Sequence, residues 1–278
     1  MVKLIFTILL VSFIGLADEA PKIDPLTQKI KTLLDIQTYK QNSAYIDIVF
    51  SPKSDYYLGK RVDVVKVIQT LKENGLLNLF FKTPKDLTLN FKTSGSPLFF
   101  MKIMEDTLRS IGYYRYVTKE SNLNNSEFTW TITLTSEYAT DPLILQKELK
   151  KSGCNIVYIA RNSATDWTYT IDMRDAKLNV TSLEPAVEIK LKRSLYAKWL
   201  DVSKINRLRI SSSRRNSWYP YIAYYDNTMH LLKVQKIDSK QKRMILNLSD
   251  STHYIKISDI YTIKNIRDDL VLIPMGSR

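Results

Sequence analysis

Residues Phe128–Thr135 read FTWTITLT. Phe128, Trp130, Ile132 and Leu134 alternate without a break with Thr129, Thr131, Thr133 and Thr135. Strict alternation at period two marks a β-strand that buries one face and leaves the other polar. Such a strand needs a cover on its apolar side, and the flanking sequence supplies helices. Upstream, Ser96 at an N-cap and Pro97 at the first helical position open a run whose apolar face is Phe99, Phe100, Ile103, Met104, Leu108 and Ile111. Gly112 stops it. Downstream, Asp141 and Pro142 open a helix through Leu143, Leu145 and Leu149, stopped at Gly153. Helices laid on one face of a short sheet make an α+β fold.

The pattern extends in both directions. Val64, Val65, Val67, Ile68 and Leu71 mark a helix within Val62–Asn74, ended by Asn74-Gly75. Tyr45–Phe50 (YIDIVF) is rich in β-branched and aromatic residues and predicts a strand. Leu77–Phe81 and Leu87–Phe91 predict two strands separated by a turn at Pro84-Lys85-Asp86. Tyr113–Thr118, Ile156–Ala160 and Trp167–Ile171 predict further strands, and Asn122–Ser126 a polar loop. The order predicts tandem small α+β modules, 45–119 and 120–176, after a lead-in segment at 18–44 whose Pro25-Leu26-Thr27 starts a short helix. Beyond Arg174 the texture changes. Short alternating runs at Ala186–Lys192, Leu208–Ser211, Tyr221–Tyr225, Leu231–Ile237, Met244–Leu248, Tyr254–Ile257 and Leu270–Ile273 are separated by polar turns. They predict an all-β barrel or sandwich domain over 177–278, with the boundary near Ala176–Pro185.

At the amino terminus, Lys3 precedes the apolar run Leu4–Leu16, and Gly15-Leu16-Ala17 offers small residues before Asp18-Glu19. That order predicts a signal peptide over 1–17 and delivery to the periplasm, with secretion or a retained anchor as alternatives. The run is shorter than the about 20 residues a spanning helix needs. Lipidation at the cleavage site would require a cysteine there, and the single cysteine is Cys154. One cysteine forms no internal disulfide; next to Gly153 and a predicted strand, Cys154 reads as a small buried residue.

The chain carries a formal charge of +13 over 278 residues. Residues 177–278 hold 19 Lys and Arg against 9 Asp and Glu, a net of +10, so the basic character belongs to the C-terminal domain. Such a field favours anionic partners such as phospholipid head groups, acidic polymers or an acidic protein face, and export makes nucleic acid an unsuitable one. His230 and His253 do not form a metal-binding spacing. Cys-x-x-Cys, Gly-x-Ser-x-Gly and a glycine-rich phosphate loop are all missing. No catalytic, cofactor-binding or metal-binding set is therefore expected, although a pair of distant carboxylates would leave no local signature. The candidate binding residues are Arg214 and Arg215, on a loop beside Trp218 and Tyr219. Forked guanidinium bonds with ring stacking suit a carboxylate, phosphate or sugar.

Two resemblances bear on function. Val64–Leu71, Leu77–Phe81, Asp86–Phe91 and Phe99–Gly112, ending in Leu108-Arg-Ser-Ile-Gly-Tyr113, are similar in rhythm to the short N-terminal periplasmic modules of secretins and TonB-dependent receptors. That likeness, over residues 62–113, implies a ring-forming or docking module; no secretin core or β-barrel follows it. The Lys- and Tyr-rich, glycine-poor texture also resembles secreted proteins linked to flagellar motility in Helicobacter- and Campylobacter-type bacteria. Together these imply a non-enzymatic structural or docking component of an envelope machine, with an envelope protein partner and oligomerisation open. The alternative is a binding module for peptidoglycan or another anionic envelope polymer, or for an anionic lipid surface.

Overall fold

A computed structural model describes residues 24–124 and 126–278. The predicted signal peptide and residues 18–23 of the lead-in lie outside them. The fold is α+β, with an N-terminal α+β unit and a β-rich C-terminal unit.

The first unit opens with helices α1 (Pro25–Leu33), α2 (Ile36–Gln41) and α3 (Ser43–Val49) and the short hairpin β1 (Tyr57–Leu58) and β2 (Arg61–Val62). Then come α4 (Val64–Glu73), β3 (Phe80–Thr93), α5 (Pro97–Ser110), β4 (Val117–Asn124), β5 (Glu127–Tyr138), α6 (Pro142–Lys151), β6 (Asn155–Arg161) and β7 (Asp166–Asp172). The strands form one five-stranded sheet ordered β4-β5-β3-β7-β6, in which β3 and β7 run parallel and the other pairs antiparallel. Segments 45–119 and 120–176 thus contribute strands to the same sheet and one core. Leu87, Leu89, Phe91, Trp130, Ile132, Trp167 and Tyr169 meet α4, α5 and α6 there. The threonines of β5 point the other way, as the alternation requires.

Several local expectations change, among them the loop expected at Asn122–Ser126, which through Asn124 belongs to β4 and pairs with β5. Tyr45–Phe50 lies in and just after α3, a helix. Ile46 and Phe50, four residues apart, are buried together while Ile48 is 72% exposed, a helical burial pattern that overrides β propensity. Pro84-Lys85-Asp86 does not turn the chain. Strand β3 runs through it, and the register with β5 is interrupted between Phe80 and Lys85, where a residue without an N–H is tolerated. The helix predicted in the lead-in is α1, and it belongs to the core, with Leu26, Ile30 and Leu33 buried. At Gly153 φ is +69°, and a Cβ would sit 2.0 Å from the Asp175 carbonyl oxygen, so only glycine ends α6 this way.

Asp24 caps α1 and gathers the chain's first described contacts. Its carboxylate accepts from Thr27 N, Tyr57 Oη (2.8 Å) and Lys53 Nζ (3.2 Å). Burial pushes its pKa up, but these hydrogen bonds outweigh burial and lower it from 3.8 to about 2. A depressed carboxyl stabilises the fold above its unfolded pKa, and the contribution is lost as pH falls through the folded value. The side chain is a third exposed, so solvent screening reduces the effect to about 1 kcal/mol. Asp24→Asn is expected to cost about that much at neutral pH in urea unfolding. The gap to the parent should close between pH 3.8 and about 2.

The second unit is a sandwich; no closed barrel forms. Its strands are β8 (Thr181–Ser182), β9 (Ile189–Leu191), β10 (Lys198–Asp201), β11 (Arg207–Ser212), β12 (Pro220–Tyr225), β13 (Leu231–Lys236), β14 (Arg243–Asn247), β15 (Tyr254–Asp259) and β16 (Leu270–Met275). One sheet is ordered β13-β12-β15-β10-β8 and the other β14-β11-β16-β9. Their inner faces share a core of Leu200, Leu208, Ile210, Trp218, Ile222, Tyr224, Leu246, Ile255, Ile257 and Leu272. Tyr224 and Tyr225 face opposite ways, as adjacent strand residues must. Tyr224 is in the core with its hydroxyl on Gln235 Oε1 (2.9 Å), and Tyr225 is half-buried on the outer face.

That outer face of the five-stranded sheet packs on the start of α5. Phe99 lies 6.2 Å from Tyr254, ring to ring. Lys102 Nζ sits 5.1 Å from the Trp199 ring, which also packs on Tyr225 at 4.9 Å. Ser96 is the N-cap residue, yet its hydroxyl donates to the Thr228 carbonyl (3.0 Å) instead of capping its own helix. The sandwich therefore spends one outer face on the first unit.

Candidate docking surface

The other outer face belongs to the four-stranded sheet, and among the described residues no helix or strand packs on it. Its composition follows from alternation. In β11, Leu208 and Ile210 point into the core, so Arg207, Arg209 and Ser211 point out. In β14, Met244 and Leu246 point in, leaving Arg243, Ile245 and Asn247 outside. In β16, Val271, Ile273 and Met275 are outward, and in β9 Lys190 is. Register sets them side by side: Arg209 lies between Ile245 and Ile273, and Ser211 between Arg243 and Val271, with Lys190 next beyond. Neighbouring strands are about 4.8 Å apart and alternate residues along a strand about 7 Å. The result is a lattice of four cations with apolar side chains between them.

None of Arg207, Arg209, Arg243 and Lys190 forms an ion pair among the described residues. Glu188, two residues before Lys190, and Asp268 stand at the rim. The Asp268 carboxyl is held below its usual range by the Asp269 N–H first, then by Ser213, with Arg215 adding an electrostatic pull.

Arg214 and Arg215 sit, exposed, on the turn that leaves β11 at the end of the sandwich. The turn is pinned. Asn216, 1% exposed, accepts from Arg267 N (2.8 Å) and Asp268 N (2.7 Å) and donates to Ser212 Oγ (3.1 Å). Trp218 is not with the arginines. Its ring is fully buried between the sheets, and Nε1 donates to the Ser258 carbonyl (2.9 Å), so it offers no stacking face to a ligand. Tyr219 is half-buried, edge-on to Tyr261 at 5.2 Å, with its N–H on Asp259 Oδ2. By alternation from Tyr221 and Tyr225 it belongs to the side of the five-stranded sheet, across the sandwich from Arg207 and Arg209. Arg214 and Arg215 thus stand exposed at the end of β11, whereas Trp218 is buried between the sheets and Tyr219 lies on the side of the five-stranded sheet. Sequence reasoning missed Arg207, Arg209, Arg243 and Lys190; the Arg-Leu-Arg-Ile alternation at 207–210 is a signal from which the first two could have been found.

No family model, curated protein or solved structure matches this chain. Its chemistry is therefore read from its own side chains. His230 Nδ1 lies 3.1 Å from Asp226 Oδ2 and 2.8 Å from Thr228 Oγ1 in an exposed turn. The Thr228 hydroxyl also donates to Asp226 Oδ1 (2.9 Å), and Asp226 and Thr228 meet the ring at the same nitrogen, so the three groups close a local turn network. Cys154 is buried, and burial, helped by Asp172, pushes its thiol up to about 12; the thiolate that nucleophilic chemistry needs is suppressed. Among the described residues there is no cluster of His, Cys, Asp and Glu able to hold a metal ion, and no helix long and apolar enough to cross a membrane.

Proposed function

We propose that this protein is a non-enzymatic docking component of the periplasmic envelope, which sits on an anionic lipid surface through the outer face of its four-stranded sheet. The observation that carries the reading is the lattice of Arg207, Arg209, Arg243 and Lys190, without ion pairs among the described residues. Each cation beside an anionic leaflet contributes about 1 kcal/mol. Ile245, 55% exposed, with Val271 and Ile273 between the charges, adds apolar contact that a purely charged face would lack. The outer face of an open sheet suits an extended surface better than a small molecule, which is bound in a concave pocket. The mechanism is positioning: one face holds the surface while the N-terminal unit, fixed to the opposite face of the sandwich, is presented away from it. The signal-peptide reading of residues 1–17 supplies the compartment.

An anionic wall polymer is the competing partner for the same charges. A glycan site built on stacked rings would use Trp218, and its place in the core speaks for lipid instead. The test is co-sedimentation of the protein with phosphatidylcholine vesicles, with and without phosphatidylglycerol, and with purified peptidoglycan sacculi. Retention only on the anionic vesicles is expected. It should weaken from about 0.1 M to about 1 M salt, as the Debye length falls from about 10 Å to about 3 Å. Retention on sacculi alone transfers the face to a polymer, and retention on neither removes the anionic-surface reading.

A further inference from the structure

Strand β5 outruns its neighbour. Its pairing with β4 ends at Thr133, opposite Val117, whereas its pairing with β3 continues to Tyr138, opposite Phe80. Along Leu134–Tyr138, about 17 Å at roughly 3.4 Å per residue, β5 has a strand on one side only among the described residues. The opposite edge of the sheet is treated differently. There α1 lies over β6, Lys29 Nζ donates to the Ile159 carbonyl (3.2 Å), and Arg161 donates to the Leu33 carbonyl (2.9 Å).

The chain that would have continued β4 is Tyr113–Tyr116, expected from its sequence to be a strand, and it has peeled away. Its backbone is tied to the end of α5, Tyr113 N to the Leu108 carbonyl (2.8 Å) and Tyr114 N to that of Gly112 (3.1 Å), with no backbone bond to β5. Two rings hold it off. Tyr113 is drawn to Thr140, hydroxyl to hydroxyl at 2.9 Å, and Tyr116 packs edge-on against Trp130 at 5.6 Å. The gap is a slot of about 730 Å³ between Tyr113–Val117 and Thr133–Thr135, adjoined by a hollow of about 400 Å³ that reaches Ser136.

The main chain of Thr135 lines the slot, and the register shows it. Thr88 donates its N–H away from β5, to the Thr165 carbonyl, so its partner Thr133 also turns its own main chain outward. Thr135, two residues on, turns the same way, into the slot. An unpaired strand edge is a template for another strand. The charges at its mouth are Arg109, Arg115 and Lys119 against Glu105 and Asp86. Arg109 is paired with Glu105 at 2.6 Å, and Asp86 accepts the Thr135 hydroxyl at 3.0 Å. Arg115 and Lys119 are exposed without an ion pair among the described residues; Asp86 keeps its negative charge, so three cations against two carboxylates leave the lining one positive charge in excess.

We infer that this slot takes an extended acidic segment of a partner polypeptide, added to β5 as a strand in line with β4. Main-chain bonds to β5 provide the affinity, and Arg115 and Lys119 select the acidic side chains. The site is built from residues of the N-terminal unit, none of them on the basic sheet face, and stands or falls independently of it.

The experiment uses the full chain carrying Arg207→Ala, Arg209→Ala and Arg243→Ala, so that the basic face does not capture the probes. The probes are capped, fluorescently labelled peptides of alternating Glu and Val, or of alternating Lys and Val, read by anisotropy. Backbone amide exchange is followed in parallel. The Glu-Val peptide is expected to bind about tenfold more tightly than the Lys-Val peptide and to protect the Thr135 amide. Adding Arg115→Glu and Lys119→Glu should invert the preference, and backbone N-methylation of the Glu-Val peptide should abolish binding. Equal binding of both peptides, undiminished binding after N-methylation, or no binding at millimolar peptide overturns the inference. A dimer in sedimentation with the Thr135 amide already protected also overturns it, because a second copy then fills the slot.

Discussion

Trp218→Ala is expected to cost about 3–5 kcal/mol of stability, the largest effect of any single substitution considered. The ring is fully buried between the two sheets, among the side chains of Leu208, Ile210, Ile222 and Leu272. Truncation leaves a cavity in a sandwich whose backbone is held on both sides by strand pairing and cannot collapse far. It also removes the donor to the Ser258 carbonyl, a bond worth about 1 kcal/mol. Measured against a typical domain stability of about 5–15 kcal/mol, the loss would place the C-terminal unit near unfolding. Arg214→Ala and Arg215→Ala, on the exposed turn four and three residues earlier, should change stability by less than about 0.5 kcal/mol. Urea unfolding of the three variants separates the alternatives. A Trp218→Ala cost no larger than that of the arginine variants would place the ring on the surface as a ligand-stacking group and contradict the packing described above.

What the sequence disclosed depended on how long each pattern ran. FTWTITLT offers eight consecutive residues at period two, and the strand, its buried face and its polar face all follow. YIDIVF offers six, with apolar residues at spacings that satisfy a strand and a helix alike; contacts of Ile46 and Phe50 with the core decide for helix. Pro84 reads as a turn residue in isolation, and only the partner strand reveals that β3 passes through it with a register break. Trp218 was legible in part, since it shares parity with Ile222 and Tyr224, two residues of the predicted strand that line the core. The basic face left a trace in the alternating Arg and apolar residues at 207–210, but that pattern describes any solvated sheet. Its importance comes from Phe99, Ser96 and Lys102 covering the sandwich on the opposite side. Contacts between residues about a hundred or more positions apart leave no local trace. The slot beside β5 is of the same kind, because it arises where Tyr113–Tyr116 fails to pair.

Replacing Arg207, Arg209 and Arg243 together by alanine is expected to weaken binding to phosphatidylglycerol vesicles by somewhat more than about a hundredfold. Three cations at about 1 kcal/mol each remove about 3 kcal/mol, and about 1.4 kcal/mol is one decade. The substitution should be almost silent in stability. The three side chains point outward and form no ion pairs among the described residues, while the inward neighbours Leu208, Ile210, Met244 and Leu246 that hold the sheet are untouched. This separation of binding from folding makes the experiment decisive. Net charge alone would predict that removing any three exposed cations is equivalent, since at low salt the whole C-terminal unit contributes to a long-range field. A docking face predicts otherwise, because charges held within a few ångströms of the head groups interact far more strongly than those a Debye length away. Lys233 and Lys236 on β13 and Lys264 near β16 supply the comparison: they are cations of the same unit that lie off the four-stranded sheet. Their joint replacement by alanine should cost much less than the arginine triple. Equal losses in the two triples would reduce the face to a share of the general charge, and the proposed docking geometry would fail.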